Sequence, residues 1–170
     1  RRSATGWPCY SRDMELLWSE AIWSYGGNII SDDHTKTLIG EGGARDAWAF
    51  IDSLYKEGVM PTPTTSGEFG FDLFQSNMAA MTTIGHWAVP GYVQAGINFD
   101  VAPMPKGPAG QATSVNSAGF VIAKDSKNAD AAFEFIKFAL GETGQAKLAQ
   151  LGFAIPVLKS VAESDAYLKQ

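Results

Sequence analysis

Three stretches of the chain place apolar residues at the i, i+3, i+4 spacing that gathers them on one face of a helix. The first follows the favourable N-cap Ser11, the second ends before Gly58, and the third starts after the N-cap Asn128. The apolar positions are, in chain order, Met14, Leu17, Trp18, Ala21, Ile22 and Tyr25; Ala44, Ala47, Trp48, Ile51, Leu54 and Tyr55; and Ala131, Ala132, Phe135, Ile136 and Ala139. We predict amphipathic helices that bury these faces in the core.

Short apolar or alternating segments separate these helices and have the length of β-strands. We predict strands at 28–30, 79–84, 98–103 and 118–123, the second of them buried, and further helices at 69–76, 142–151 and 158–168. The segment 104–110 is too rich in proline and glycine for regular structure and is interpreted as a hinge or loop. Strands that alternate with helices, without internal repeats, predict the α/β class.

Composition and charge argue against several classes of partner. The chain has 170 residues, of which 45% are hydrophobic and 18% charged, and its formal net charge is -5. Its 13 Lys and Arg residues form no basic stripe, so we predict no nucleic-acid binding. The longest apolar runs are shorter than the roughly 20 residues of a membrane span, so we predict neither a span nor a signal segment in this chain. Cys9 has no second cysteine for a disulfide and is interpreted as a structural thiol.

Candidate catalytic and metal-binding groups have simpler interpretations. Glu68 and Asp72 stand four residues apart on a predicted helix, where solvated surface charges explain them better than a glycosidase pair does. Asp32-Asp33-His34 is interpreted as a turn, because adjacent side chains point in different directions and no second ligand cluster supports a metal site. We therefore predict no enzyme, no metal and no cofactor. A small hydrolase is the least supported alternative.

Four segments of the chain carry motifs that occur together, and in this order, in one protein family. The first, F-Q-S-N-M-A-A-M-T-T-I-G-H-W at 74–87, matches the pattern F-x-x-G-x-x-A-M-x-x-x-G-x-W. The second motif is F-D-V-A-P-M-P-K-G-P at 99–108, and the third is the strand and turn at 119–128 with the helix that follows. The fourth lies at 145–156, where Q-x-x-L-A is followed by Gly152 and Pro156. With these motifs the chain resembles the maltose-binding-protein-like solute-binding proteins of sugar importers, over about residues 6 to 165.

Two departures from the family pattern fall in the first motif. Asn77 stands where the family has glycine, and Met78 replaces the usual lysine. We expect the backbone to tolerate Asn77, because asparagine visits the left-handed region more easily than other non-glycine residues.

The resemblance implies a fold and a division of the chain. It implies the carboxyl-terminal lobe of a two-lobed periplasmic-binding-protein-like fold, truncated because the first half of the family pattern has no counterpart here. By the family layout, residues 1–104 and 142–170 belong to the carboxyl-terminal lobe, and 105–141 cross to the missing amino-terminal lobe. The strand at 118–123 would then lack its neighbours, and we expect it to repack, to pair with another chain or to exchange between protomers.

The resemblance also implies a function, the binding of a sugar or oligosaccharide for an ABC importer. In this family the ligand lies between two lobes that close about a hinge, so this chain would supply half of a site. The implied partners are the sugar and, for the intact protein, the ABC permease, with a periplasmic or lipid-anchored extracellular location. The alternative is a truncated domain that acts as a structural or oligomerising module, self-associating through its exposed lobe interface without a ligand.

Sugar sites combine aromatic platforms with hydrogen-bonding side chains, and several residues fit that description. Trp87 is the first choice, because the resemblance places it in the cleft. The full set of candidates is Trp87, His86, Trp7, Tyr10, Asp13, Trp18 and Asn116, the last with its neighbour Ser117. The plainer interpretation of Trp87 is a core residue beside Pro90, and that of His86 is a structural histidine. Trp18 lies on a predicted apolar face, and Asp13 suits the dipole of the first helical turn.

Overall fold

The computed structural model describes residues 15–60 and 71–169. These residues fall into two compact units, and the chain passes between the units three times. Unit 1 consists of the described residues up to Ile84 together with Phe99–Val115, and unit 2 consists of Gly85–Asn98 together with 116–169. The lobe division at 104 and 141 that the resemblance implies refers to an intact two-lobed protein and stays a prediction.

Unit 1 is built around two packed helices, α1 (Glu15–Ser24) and α2 (Gly42–Lys56). The buried hydrophobic residues of its core are Ala21, Ile22, Ala44, Ala47, Ile51, Leu54 and Met60. Half-buried aromatic rings, among them Trp18 and Trp48, pack around this core. The structure confirms both predicted helices and, among the described residues, the apolar faces that they bury.

A pair of glycines lets α1 and α2 approach closely. Gly27, which follows α1, lies against the backbone of Gly43 and Ala44 at the start of α2. A Cβ atom on Gly43 would collide with the carbonyl oxygen of Tyr25, and one on Gly27 would collide with the backbone nitrogen of Ala44. These two positions therefore need glycine because two backbones meet there.

The predicted strand at 28–30 is reduced to a single antiparallel bridge between Ile30 and Thr37. The amide of Ser31 donates to the carbonyl of Lys36 at 2.9 Å and closes the turn between them. Residues 32–34 form the tip of this turn, as the sequence predicts.

The helix α3 (Phe71–Gln75) is followed by a residue in the left-handed region, Asn77, whose φ is 57°. The amides of Met78 and Ala79 both donate to the carbonyl of Leu73, at 2.7 and 3.0 Å. The structure therefore confirms that asparagine takes, at this position, a conformation for which glycine is the usual residue.

Unit 2 is helical in its described residues. It contains a 3₁₀ turn (His86–Ala88) and the helices α4 (Val89–Gln94), α5 (Ala129–Leu140), α6 (Glu142–Gln150), α7 (Lys159–Ala162) and α8 (Asp165–Leu168). The helices α5 and α6 confirm two predictions, whereas α4 was not predicted. It carries Pro90 in its first turn, where the fixed φ of proline favours a helix start.

The prediction of one continuous helix at 158–168 is wrong. The helices α7 and α8 are separated at Ser164, whose hydroxyl donates to the carbonyl of Val161 at 2.7 Å. The backbone of Ser164 is extended, with φ of -92° and ψ of 162°, and this conformation interrupts the helical ladder.

The remaining predicted strands form no ladder with other described residues. The prediction of a buried strand at 79–84 is wrong, because Ala79 is buried whereas Ala80 and Met81 are exposed. The backbone groups of residues 117–122 make no hydrogen bond to another described residue. Backbone amides and carbonyls of a strand need a neighbouring strand, and the described part of the chain places none beside this segment.

The predicted inward face of α5 is not buried, so that prediction is also wrong: two of its five residues are exposed and three are half-buried. The helix has no buried residue, and the side chain of Phe135 is 61% exposed. The ring of Phe135 meets that of Phe120 edge to face, with the centroids 6.5 Å apart. Together with Phe138 and Leu148 these rings line an open groove of about 620 Å³, which we call the aromatic groove. The helix has the expected apolar periodicity, but the described residues, Phe120 among them, cover its apolar face only in part.

Candidate functional site

Trp87 is an exposed aromatic platform with a fixed support beneath it. The indole ring folds back over the backbone of Gly85, where a Cβ atom would collide with the six-membered part of the ring. The residue nevertheless stays 43% exposed. The glycine two residues before the tryptophan therefore has a physical purpose, since any side chain there would push the indole away. Trp87 is therefore not a core residue, and part of it is accessible to solvent.

The short turn that carries Trp87 is held by its neighbours in unit 2. The amide of Ala88 donates to the carbonyl of Gly85 at 3.1 Å, which closes the 3₁₀ turn. Tyr92 in α4 is buried and anchors this helix, and its carbonyl accepts from the amide of Ile97 at 3.1 Å. Trp87 therefore lies on a turn that is continuous with a short helix anchored by one buried residue, Tyr92.

His86 is half-buried beside the platform. Its ring lies 6.1 Å from the ring of Tyr167 in α8, at an interplanar angle of 35°. Its Nδ1 atom is shielded from solvent and has no hydrogen-bond partner in the described part of the chain. Tyr167 therefore joins this cluster, which is a contact that sequence reasoning missed. No signal could have found it, because 81 positions separate the two residues and no motif links them.

The other sequence candidates lie in different places. Trp18 packs in unit 1, where its ring lies 5.3 Å from that of Trp48 at an angle of 44°. Asn116 is exposed and begins the second segment of unit 2. Trp7, Tyr10 and Asp13 lie outside the described residues. The structure therefore groups Trp87 and His86 together, and places Trp18 beside the core of unit 1.

A buried carboxylate on α1 was not found from the sequence. Glu20 is 7% exposed, and its Oε1 atom accepts from the hydroxyl of Ser114 at 2.6 Å. Its Oε2 atom is shielded from solvent and has no hydrogen-bond partner among the residues that the structure describes. Glutamate is among the residues least often buried, so the helical pattern alone places Glu20 on the solvent side.

The alternatives of a metal site or a catalytic pair gain no support. The carboxylate of Asp33 accepts from the hydroxyl of Ser31 at 2.6 Å and from the amide and hydroxyl of Thr35 at 3.1 and 2.9 Å. These bonds, that of Ser31 foremost, hold the pKa of Asp33 below its ordinary value of 3.8. Within residues 15–60 and 71–169 no cluster of His, Cys, Asp and Glu has metal-binding geometry. The pair Glu68 and Asp72 lies outside the described side chains.

Among the described residues, none of the helices has both the length and the apolar composition that a membrane-spanning helix needs.

Comparison with known proteins identifies a family over nearly the whole chain. The family described as bacterial extracellular solute-binding protein matches residues 3–170. The galactooligosaccharide-binding protein of Bacillus subtilis (strain 168) is 28% identical over 168 residues, which cover 91% of this chain and 40% of that protein. A putative binding protein of Brucella abortus (strain 2308) is 27% identical and covers 92% of this chain.

Solved structures show the same fold. An ABC substrate-binding protein from Listeria monocytogenes, in complex with cycloalternan, superposes with a TM-score of 0.77 at 20% identity over 98% of this chain. The GacH receptor of Streptomyces glaucescens, solved unliganded and with acarbose, superposes with a TM-score of 0.79 at 22% identity. These likenesses confirm the predicted fold class, part of a two-lobed binding-protein fold. The chain spans 43% and 44% of the length of these two proteins.

Proposed function

This chain belongs to the bacterial extracellular solute-binding protein family, and on that premise we propose that it supplies part of the carbohydrate site of an ABC importer's binding protein. Proteins of this family bind a solute and do not transform it, so the prediction that the chain is not an enzyme is confirmed. The ligand that we propose is a sugar or oligosaccharide. The named relatives and solved neighbours that bind galactooligosaccharide, cycloalternan or acarbose support this ligand class.

The observation that carries the proposal is the exposed indole of Trp87 above Gly85. A pyranose ring presents an apolar C–H face, which stacks on a flat aromatic surface, and a ring of hydroxyls that needs donors and acceptors. His86, the residue before Trp87, offers a ring nitrogen to these sugar hydroxyls. We propose Trp87 as the platform and His86 as a polar neighbour, with Asn116 as a further hydrogen-bonding residue of unit 2.

The remaining candidates complete the proposal on the side of α1. Trp7, Tyr10 and Asp13 precede α1 in the chain, and we propose that they contribute an aromatic ring and a carboxylate to the same ligand. Trp18 is the weakest member of this set, since its packing beside Trp48 already explains its presence.

Titration of the intrinsic fluorescence with a panel of mono- and oligosaccharides tests the platform. The chain contains five tryptophans, so variants are needed to assign the signal. We expect a saturable change in the unmodified chain and in Trp48→Phe, whose ring lies beside Trp18. In Trp87→Ala the affinity should fall by about tenfold or more, because the stacking contact is lost. A saturable response of the same affinity in Trp87→Ala would contradict the proposal.

The exposed apolar surface of unit 2 supports a second part of the proposal. We propose that a further part of a longer two-lobed polypeptide covers the aromatic groove and pairs with residues 117–122. Two observations support this occupant: the chain spans less than half of its solved neighbours, and the edge of 117–122 lacks a strand among the described residues. Amide hydrogen exchange tests it. The amides of 117–122 should exchange without protection in this chain and become protected in a longer form.

The proposed setting of the longer protein follows from the family. We propose a periplasmic or lipid-anchored extracellular receptor that closes on its ligand and is then recognised by an ABC permease. Transport of a sugar by cells that carry the intact receptor, and its loss with Trp87→Ala, would test this role. Unchanged transport in the variant would contradict it.

The unpaired segment 117–122 also bears on an interaction role for this chain by itself. This segment and the aromatic groove share one exposed surface through Phe120, and two copies of a strand can pair antiparallel about a two-fold axis. We propose that the isolated chain self-associates through this surface. Light scattering should then give a mass above the monomer's 18.2 kDa, and Phe135→Asp should restore the monomer. A monomer at every concentration would contradict the second role.

A further inference from the structure

The buried pair formed by Glu20 and Ser114 joins α1 to a segment 94 positions later in the chain. The oxygen atoms are 2.6 Å apart, which lies in the range of charge-assisted O–H···O⁻ hydrogen bonds. The same Oε1 atom also receives the backbone amide of Ser114 at 3.4 Å. Both donors of one residue therefore point at a single carboxylate oxygen, which restrains the backbone and the side chain of Ser114 together.

A second anchor lies one helical turn further along α1. The carbonyl of Ser24 accepts from the amide of Ala109 at 2.9 Å. A Cβ atom on Gly107 would come within 2.5 Å of that carbonyl oxygen, so glycine is needed for the close approach. Residues four apart lie on one face of a helix, so Glu20 and Ser24 present a common face to the segment 107–114. The segment 107–114, which overlaps the predicted hinge or loop at 104–110, is therefore bound to α1 at two points.

The choice of residue at position 20 is not explained by stability. Burying a carboxylate with no ion pair and with one oxygen unpartnered among the described residues is costly, and an apolar side chain would fill the same space without that cost. A charged oxygen that accepts two hydrogen bonds from one residue favours a single alignment of the segment 107–114 along α1 over shifted alignments. The cost in stability of burying Glu20 therefore fits a residue whose role is to hold the segment 107–114 in place.

Holding Ser114 also restrains Asn116. Asn116 is the second residue after Ser114, and an extended chain advances at most about 3.6 Å per residue, so Asn116 stays within about 7 Å of the anchored Ser114. We infer that Glu20 is a positioning residue, which through Ser114 holds the exposed Asn116 and the start of the segment 117–122 where they meet the ligand. This inference rests on the proposed function only in its last step, the contact with a sugar.

Backbone order measured by NMR relaxation tests the positioning without any ligand. In the unmodified chain we expect order parameters near 0.85 for the amides of residues 113–116, the level of rigid backbone. Ser114→Ala should lower them to below about 0.6, because the hydroxyl that meets Glu20 is gone. Ser114→Thr retains a hydroxyl and should restore them. Thr113→Ala is the matched control, since Thr113 is an exposed neighbour in the same segment.

A second variant removes the acceptor in place of the donor. Glu20→Leu fills the same space without an oxygen and should lower the order parameters of 113–116 as Ser114→Ala does, while Glu20→Gln keeps an acceptor and should preserve them. Order parameters that stay high in both Ser114→Ala and Glu20→Leu would overturn the inference.

Sugar affinity separates this inference from the proposed function. If the unmodified chain binds a sugar, Ser114→Ala should weaken binding by about tenfold, the size expected for a lost hydrogen bond to a charged group. Thr113→Ala should leave the affinity unchanged. Equal affinity in both variants would overturn the link to the ligand. If the unmodified chain binds no sugar, the proposed function fails, and the order parameters alone decide whether Glu20 holds the segment.

Discussion

The helices α2 and α5 have similar apolar patterns and opposite surroundings. In α2, Ile51 is 2% exposed and lies in a core shared with α1, whereas in α5, Phe135 is 61% exposed on a helix with no buried residue. Both helices carry apolar residues at i, i+3, i+4 spacing. The spacing of apolar residues therefore identifies an apolar helix face, while the burial of that face depends on whether another element lies against it.

The two units also differ in how their extended segments are held. In unit 1, the segment 107–114 is bound to α1 through Ser24 and Glu20. In unit 2, the segment 117–122 has no backbone partner in the described part of the chain. Unit 1 therefore supplies partners for this segment from its own helix, whereas the backbone groups of 117–122 have none among the described residues.

The largest expected effect comes from truncating one side chain in each helix. Ile51→Ala should lower the free energy of unfolding by about 2–5 kcal/mol, because it removes buried methyl groups and leaves a cavity. Phe135→Ala should lower it by less than about 1 kcal/mol, since most of that side chain already lies in water. Urea denaturation measures both values. Equal losses in the two variants would mean that the aromatic groove is a closed core.

The glycine contact between α1 and α2 gives the next effect. Gly43→Ala should destabilise the chain by about 1–3 kcal/mol, because the new methyl group collides with the carbonyl oxygen of Tyr25 and the helices must separate. Gly40→Ala is the matched control, since a Cβ atom there meets open space and should change stability by less than about 0.5 kcal/mol. Thermal unfolding distinguishes the two variants. A neutral Gly43→Ala would show that the close helix contact is not needed.

A smaller effect is expected at the end of α3. Asn77→Ala should cost about 1–2 kcal/mol relative to Asn77→Gly, because alanine is strained at the φ of 57° and glycine is not. Comparison of the two midpoints of thermal unfolding isolates this backbone term. If both variants unfold at the same temperature, the left-handed conformation is not what stabilises this turn.

The smallest effect concerns the exposed turn at Asp33. Hydrogen bonds from Ser31 and then Thr35 depress the pKa of Asp33 in the folded state below 3.8. A carboxyl with a depressed folded pKa stabilises the fold above its unfolded pKa, and this contribution is lost as the pH falls through the folded pKa. The turn should therefore loosen only below about pH 3.9.

An NMR titration of the Asp33 carboxyl carbon measures this pKa. Ser31→Ala removes the strongest bond to the carboxylate, and we expect the pKa of Asp33 to rise toward 3.8 in that variant. An unchanged pKa in Ser31→Ala would show that the Ser31 hydroxyl does not hold the carboxylate.

Much of the local structure could be predicted from the sequence. The apolar spacing around Ile22 and Ile51 and the N-cap position of Asn128 are local signals, and each predicts a helix that the structure contains. The substitution of asparagine for glycine at position 77 is also local, because it depends on one residue's φ. The short helix at Val89–Gln94 and the break at Ser164 were missed, since each depends on one residue rather than on a repeated pattern.

The candidate site was predictable only in part. A motif identifies Trp87, and Gly85 two residues before it explains how the ring is supported. Tyr167 beside His86 and Ser114 beside Glu20 join positions far apart in the chain, which no periodic pattern encodes. Such contacts arise only when packing brings distant segments together.

The sequence by itself therefore determined the longer helices, the turn at 32–34 and the family of this protein. Only the tertiary structure decided which apolar faces are covered, which carboxylate is buried, and which aromatic ring stays in contact with solvent. The physical reason is that helix propensity and backbone conformation depend on neighbours within a few positions. Burial depends on the presence of a second surface, and Phe135 shows that an apolar face alone does not supply one.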